Sequence, residues 1–267
     1  MAQVRAPECG RGGNYTERAM TDDAATPAPA LPVAAFFDID KTLVNGASLL
    51  FLARAARSLG IVKWRDLLRF GLKSASFRRH GESMSVLDQV RDWGMRLLAG
   101  QRADRLHALA EQVVSTLQPR IWPETKALLL AHLDAGHEVY LISATPDFLA
   151  QELAGSLGAT AGIGSGLEIA DGVFTGRFTS GTMHGEEKAR AAQRLMAERG
   201  FDPADCYAYS DSSNDLPLLT AVGTAVAVNP DRGLAHHARE VGWQILQLDP
   251  ASIRAERKRV KAASRAR

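Results

Sequence analysis

Ala35-Phe36-Phe37-Asp38-Ile39-Asp40-Lys41-Thr42-Leu43-Val44 decides how the rest of the chain is read. An apolar run of this length that ends in a polar turn has the pattern of a buried parallel strand, covered by helices on both faces. Open α/β sheets place their sites beyond the carboxyl ends of such strands, and Asp38 and Asp40 stand at that end. Consecutive side chains of a strand point to opposite faces, so two carboxylates spaced two apart reach one site only if the chain turns directly after Asp38. That favours a loop wrapped around a small anion. Taken alone, the motif is equally an Asp-rich turn, because Asp bonds its own backbone in loops.

The remainder of the chain completes an α/β rhythm. Apolar residues at helical spacing run from Ser48 to Leu59, Trp64 to Phe77, Met84 to Leu98 and Ala103 to Leu117, with no strand signal between Val44 and His137. This all-helical block, residues 46–119, reads as an inserted cap whose amphipathic helices can form a small core of their own. A helix is expected from Pro123 to near Gly136, a strand from His137 to Ile142, and a helix ending near Leu157. A hairpin follows from Leu167 to Phe178 around Asp171-Gly172. Next come a helix from Glu186 to Arg199, a strand from Cys206 to Tyr209, a helix from Leu216, a strand from Thr224 to Val228, a helix from about Asp231 and a strand from Trp243 to Leu246. Strands alternating with helices imply right-handed crossovers and a doubly wound parallel sheet. The expected organisation is a disordered tail over 1–31, an α/β core over 32–45 and 120–250, the cap, and a basic tail over 251–267.

Composition sets few limits. The 267 residues carry a formal net charge of +2. Seven basic residues and one acidic residue lie between Arg254 and Arg267, so the body of the chain is mildly acidic. That terminal segment reads as a solvated tail; weak contact with an anionic membrane surface is the alternative, and no nucleic-acid partner is expected. Two cysteines, Cys9 and Cys206, imply no disulfide framework, and Cys206 fits a small buried apolar residue. No apolar run is long enough to span a membrane and the first thirty residues lack a signal-peptide core, so a cytoplasmic protein is expected. Met20 offers a second possible start for translation.

Three strand ends and one helix start carry reactive groups: Asp38 and Asp40; Ser143 with Ala144; Lys188; and Ser210-Asp211-Ser212-Ser213-Asn214-Asp215. In this order and context they resemble the four motifs of the haloacid dehalogenase superfamily, and the helical insertion after the first motif is similar to subfamily IB, the phosphoserine phosphatase-like branch. The resemblance covers roughly Val33 to Leu248. It implies a Mg²⁺-dependent phosphomonoesterase with Asp38 as nucleophile and Asp40 as general acid and base. Asp38, Asp211 and the backbone carbonyl of Asp40 would hold the metal, with Asp215 and Thr42 supporting from behind. Ser143, the amide of Ala144, Lys188 and Asn214 would hold the phosphoryl group.

Each residue also has an ordinary reading: a helix turn for Ser143, a solvated lysine for Lys188, cap chemistry for Asp211 to Asp215. Phosphoryl transfer to another acceptor, and a binding module without catalysis, are the alternative functions. One departure bears on substrate. Phosphoserine phosphatases carry a Glu that pairs with the substrate ammonium, where this chain has Ala47. Nearby, Lys63-Trp64-Arg65 and Phe77-Arg78-Arg79-His80 read either as cap core with a solvated basic face or as contacts for an apolar or second anionic group, such as a lipid or head-group phosphate. The expected partner is a small phosphate ester; oligomeric state is open.

Overall fold

In the computed structural model the described residues are 32–58, 60–61, 99–179 and 181–265. The expected N-terminal tail, the helices over Trp64–Phe77 and Met84–Leu98, and both basic aromatic segments lie outside them.

β1 (Ala34–Phe37) is an inner strand of the six-stranded sheet, buried along its whole length. It enters α1 (Ser48–Ser58), and after the undescribed stretch α2 (Ala103–Leu117) leads through a single 3₁₀ turn into α3 (Pro123–Asp134). Then follow β2 (Glu138–Pro146), α4 (Asp147–Leu157), β3 (Ala161–Ser165) and the hairpin β4 (Leu167–Ala170) with β5 (Val173–Phe178). The chain continues through α5 (Glu186–Arg199), β6 (Tyr207–Ser210), α6 (Leu216–Leu219), β7 (Thr224–Val228), α7 (Arg232–Val241), β8 (Gln244–Leu246) and α8 (Pro250–Arg265). Among the described residues, six strands form one parallel sheet in the order β3-β2-β1-β6-β7-β8. The order reverses between β1 and β6, which opens a crevice at their carboxyl ends.

Both faces of this sheet are covered, as its continuous apolar strands require. Ala35 and Phe37 enter one core with Val139, Leu141, Tyr209 and Val226, whereas Ala34 and Phe36 enter the other with Tyr140, Ile142 and Ala208. Phe36 stacks on Tyr140 and Phe37 on Tyr209, fixing the rows immediately behind Asp38. Each fully buried Phe contributes about 1.5–3 kcal/mol of transfer free energy.

The first core continues into the helices between β1 and β2. Phe51, Leu52, Leu106, Leu109 and Val113 belong to it together with the sheet residues. The described helices of the inserted block therefore share the sheet's core, and the expectation of a separate core for the rest of the block falls on residues 62–98, outside the described ones. The apolar face of α2 meets α4, which lies on the same sheet face, and α1 packs against α2. The two crossings into this block are paired: Trp122 N–H donates to Leu43 C=O at 2.9 Å and Asn45 N–H to Arg120 C=O at 2.8 Å.

Two further expectations change. β3 carries no strand signal because its sequence is Ala-Gly-Ile-Gly-Ser. The glycines serve packing: a Cβ at Gly162 would stand 2.1 Å from the backbone of Ala150, so only glycine lets α4 lie this close. The C-terminal segment is no solvated tail through its first turns. It forms α8, anchored by buried Ile253, by Ser252 Oγ donating to Glu124 at 3.1 Å and by Arg257 Nε donating to Pro119 C=O at 2.7 Å. The Arg and Lys that make it basic are, like the Ala and Glu between them, strong helix formers. The hairpin is as expected, with Asp171 (φ 51°) and Gly172 (φ 75°) both in the left-handed region of a tight turn. Cys206 is free and fully buried. No helix among the described residues is long and apolar enough to cross a membrane.

Candidate active site

Asp38 extends β1 by one rung, its N–H donating to Tyr209 C=O at 2.9 Å. The chain then turns at once, as the spacing of the two carboxylates requires. Ile39 C=O accepts from Leu43 and Val44 N–H, and Lys41 adopts φ 61°, a conformation uncommon outside glycine. This folds Asp40 back so that its Oδ1 accepts the N–H of Ser48 at 2.7 Å. Ser48 opens α1, and the first amides of a helix lack partners within it. The inserted block is thus joined to the Asp40 carboxylate by its own first helical residue.

Register brings the other strand ends alongside. Phe37 is level with Leu141 on β2 and with Tyr209 on β6, so Ser143 and Asp211 each lie one residue beyond the row of Asp38. The β2–β3 ladder shifts register between Ile142 and Pro146, which releases residues 143–145 from regular pairing, a bulge of the kind that re-aims side chains beside sites. Ser143 is buried, Ala144 is exposed, and Thr145 N–H donates to Ser143 Oγ at 3.3 Å. Gly185, at φ 53°, caps α5 and brings Lys188 inward. Lys188 Nζ lies 2.5 Å from Asp38 Oδ1 and 2.7 Å from Asp215 Oδ2, all three side chains being buried. Ser210 Oγ donates to the same Asp215 oxygen at 2.6 Å.

Asp38, Asp40, Ser143, Lys188, Asp211 and Asp215 therefore share the crevice at the β1/β6 reversal. Asn214 lies exposed, its backbone amide donating to Ser212 Oγ at 3.3 Å; among the described residues no hydrogen bond ties its side chain to Asp38 or Lys188. Thr42 is fully buried and its hydroxyl finds no partner among the described residues. Four supports went unrecognised in the sequence: Ser48, Thr145, Ser165 and Asp231. Asp231 accepts from Ser213 N–H at 2.8 Å and caps α7 through Leu234 N–H at 2.8 Å, while its own N–H donates to Asp211 C=O at 2.7 Å. The signals available were Ser48 and Asp231 as helix-start residues.

The electrostatics are lopsided. Burial pushes the Asp38 carboxyl up to about 7, with Lys188 opposing the shift and Asp215 and Asp40 adding to it. Burial likewise raises Asp40, against the hydrogen bonds from Ser48, and moves Asp211 to about 6, with exposed Lys41 at 3.6 Å opposing. Burial disfavours the Lys188 ammonium, yet Asp38 and Asp215 outweigh it and hold it charged far above neutrality. Four carboxylates around one buried ammonium leave a deficit of positive charge. Among the described residues no three His, Cys, Asp or Glu side chains close into a metal cage. The donor set instead suits a hard cation that takes one or two carboxylates and fills its shell with water and substrate oxygen, which is the habit of Mg²⁺.

A parallel α/β sheet with a buried carboxylate, a buried lysine paired to it and a second acid at one switch point has the layout of a phosphoryl-transfer enzyme. The family model of haloacid dehalogenase-like hydrolases matches residues 35–220, and the chain belongs to that family. It is 41% identical over 217 residues to phosphoserine phosphatase SerB1 of Mycobacterium tuberculosis, a match covering 80% of this chain and 70% of the relative. A histidinol-phosphatase of Neisseria meningitidis is 32% identical over 220 residues, covering 80% and 98%. Among solved structures, a Bordetella pertussis protein of unknown function superposes with a TM-score of 0.71 at 28% identity, over 81% of this chain and 98% of that one. The protein is a phosphatase, a phosphoric monoester hydrolase, and phosphatases of this family generally use Mg²⁺.

Proposed function

We propose that the protein hydrolyses a small phosphate monoester through a phosphorylated Asp38. The observation that carries this reading is the buried Lys188 held between Asp38 at 2.5 Å and Asp215 at 2.7 Å. A lysine so placed keeps one Asp38 oxygen oriented and charge-paired, leaving the other to attack phosphorus. Attack forms the Asp38–phosphorus bond and breaks the ester bond, and the leaving alkoxide takes a proton from Asp40. Asp40 then removes a proton from water as that water attacks phosphorus, releasing inorganic phosphate and restoring Asp38. Burial of Asp40 favours the protonated form that the first step needs.

Ser143 Oγ, the Ala144 amide, Lys188 and Asn214 would receive the phosphoryl oxygens. Asp38, Asp211 and the Asp40 carbonyl would hold Mg²⁺, whose charge relieves repulsion between Asp38 and the phosphate dianion. Residues 46–119 would act as the cap, and the Ser48–Asp40 contact ties its first helix to the acid. The two phosphatase relatives are named for phosphoserine and histidinol phosphate, both esters of amino alcohols, so that class leads. With Ala47 in place of the ammonium-pairing Glu, the amine of such an ester would need a different partner from the one phosphoserine phosphatases use.

The test is phosphate release by the purified protein, with Mg²⁺ and with EDTA, on phosphoserine, histidinol phosphate, sugar phosphates, phosphocholine and lysophosphatidic acid. Turnover of one ester that needs Mg²⁺ and disappears in folded Asp38→Asn is expected. Substantial turnover by Asp38→Asn would overturn the nucleophile assignment.

A further inference from the structure

Ser165 ends β3, is almost wholly buried and lies outside the motifs discussed above. Its hydroxyl makes two hydrogen bonds: Met183 N–H donates to Ser165 Oγ at 3.0 Å, and Ser165 Oγ donates to Ala144 C=O at 2.9 Å. The directions are forced. A backbone N–H can only donate and a carbonyl can only accept, so the single proton of Ser165 must go to Ala144.

That carbonyl shares a peptide unit with Thr145 N–H, which donates to Ser143 Oγ at 3.3 Å. The plane of the 144–145 peptide is therefore gripped from both ends. Because Ser143 Oγ already accepts from Thr145, the one proton Ser143 owns is left for an acceptor outside this chain of bonds. Linked donors and acceptors polarise one another in a buried setting, so each bond strengthens the next. The chain starts in the loop ahead of α5, the helix that carries Lys188, and ends on the Ser143 hydroxyl near the carboxyl end of β2.

We propose that Ser165 is a positioning residue that fixes the Ser143 hydroxyl as an outward-directed donor to the phosphoryl group. This rests on the reading of Ser143 as a phosphoryl ligand. Ser165 does not touch substrate; it acts through the 144–145 peptide. Its removal leaves Met183 N–H and Ala144 C=O without their buried partner, and the peptide is then free to rotate away from Ser143.

A double-mutant cycle on Ser165→Ala and Ser143→Ala separates this from a packing role. Two quantities are read in the full-length protein: kcat on the best ester of the panel, and the Kd of inorganic phosphate by calorimetry. Support residues of this kind typically change activity about 10–100-fold, so Ser165→Ala is expected to lower kcat by about tenfold and to weaken phosphate binding. In the Ser143→Ala background the same substitution should cost less than about twofold in both readouts, because the group it acts through is gone. Equal losses in both backgrounds would overturn the proposal. Ser143→Ala with unchanged phosphate affinity and kcat would instead overturn the reading of Ser143 itself. If Ser165→Ala does not fold, Ser165→Cys enters the same cycle, keeping the volume while weakening the donor.

Discussion

Replacing Lys188 by Met tests the electrostatic account most directly. The ammonium is buried between two carboxylates, and removing one member of a buried pair typically costs about 3–5 kcal/mol because the remaining charge is stranded. Here the stranded carboxyl has an escape, since burial has already pushed Asp38 up to about 7 in the intact site. Without Lys188, the largest influence opposing that shift is lost, and the carboxyl rises further and stays protonated. Below about pH 7 both proteins then carry a protonated Asp38, so what the substitution costs there is the Lys188–Asp215 pair. Above it, the wild-type carboxyl ionises against Lys188 whereas the variant must hold its proton, at about 1.4 kcal/mol per pH unit. The sign follows from linkage: a folded pKa raised above the unfolded value gives stability that is lost as pH rises, and the loss continues further in the variant. Between pH 6.5 and 8.5 the difference in unfolding free energy should therefore widen by about 2 kcal/mol. Urea titrations in EDTA at the two pH values measure it. A constant difference across that range would refute the charge argument, whatever happens to turnover.

Two other outcomes are expected. His132, buried against Tyr209 OH at 2.8 Å and His137 Nδ1 at 2.8 Å, is pushed down to about 4 by burial and then by His137. A depressed folded pKa means its stability is complete above about 6.5 and is lost as pH falls through that value towards about 4, by at most about 3 kcal/mol. His132→Gln should flatten this acid limb in urea titrations, and an equally steep limb would count against it. Truncation after Asp249 removes α8, with buried Ile253 and the hydrogen bonds to Glu124 and Pro119. Thermal melts should show a loss of about 2–3 kcal/mol, while kcat/KM at low temperature stays within about threefold; an unchanged Tm would refute the anchoring.

What was legible in the sequence follows from the range of the interactions involved. Strands buried on both faces, Ala34–Phe37 throughout and Thr224–Val228 beyond its exposed first residue, announce themselves because each buried residue must be apolar. Helices with local start signals, Ala103–Leu117 and Glu186–Arg199, coincide with their expected bounds. β3 was hidden because its glycines answer to α4, a partner that local pattern cannot see. α8 was hidden for the opposite reason: its charge suggested a solvated tail, and only Ile253 and two distant acceptors turn it into a docked helix.

The site divides along the same line. Asp38, Asp40, Ser143, Lys188, Asp211 and Asp215 could be singled out because the proposed chemistry asks for such groups at three strand ends and one helix start, and the fold brings those ends together. Ser48 and Asp231 showed only as helix-start residues and Ser165 not at all, since nothing in a lone serine or aspartate reveals which distant group it will meet. Yet these residues decide how the reactive groups are aimed. Asp40 owes its orientation to a helix that begins eight residues later, and the 144–145 peptide owes its own to a hydroxyl twenty-one residues on. Charged groups alone could bind an anion in many poses. A single pose suited to in-line attack requires the neutral donors behind them, so substitutions at Ser48 and Ser165 are expected to act on kcat more than on KM.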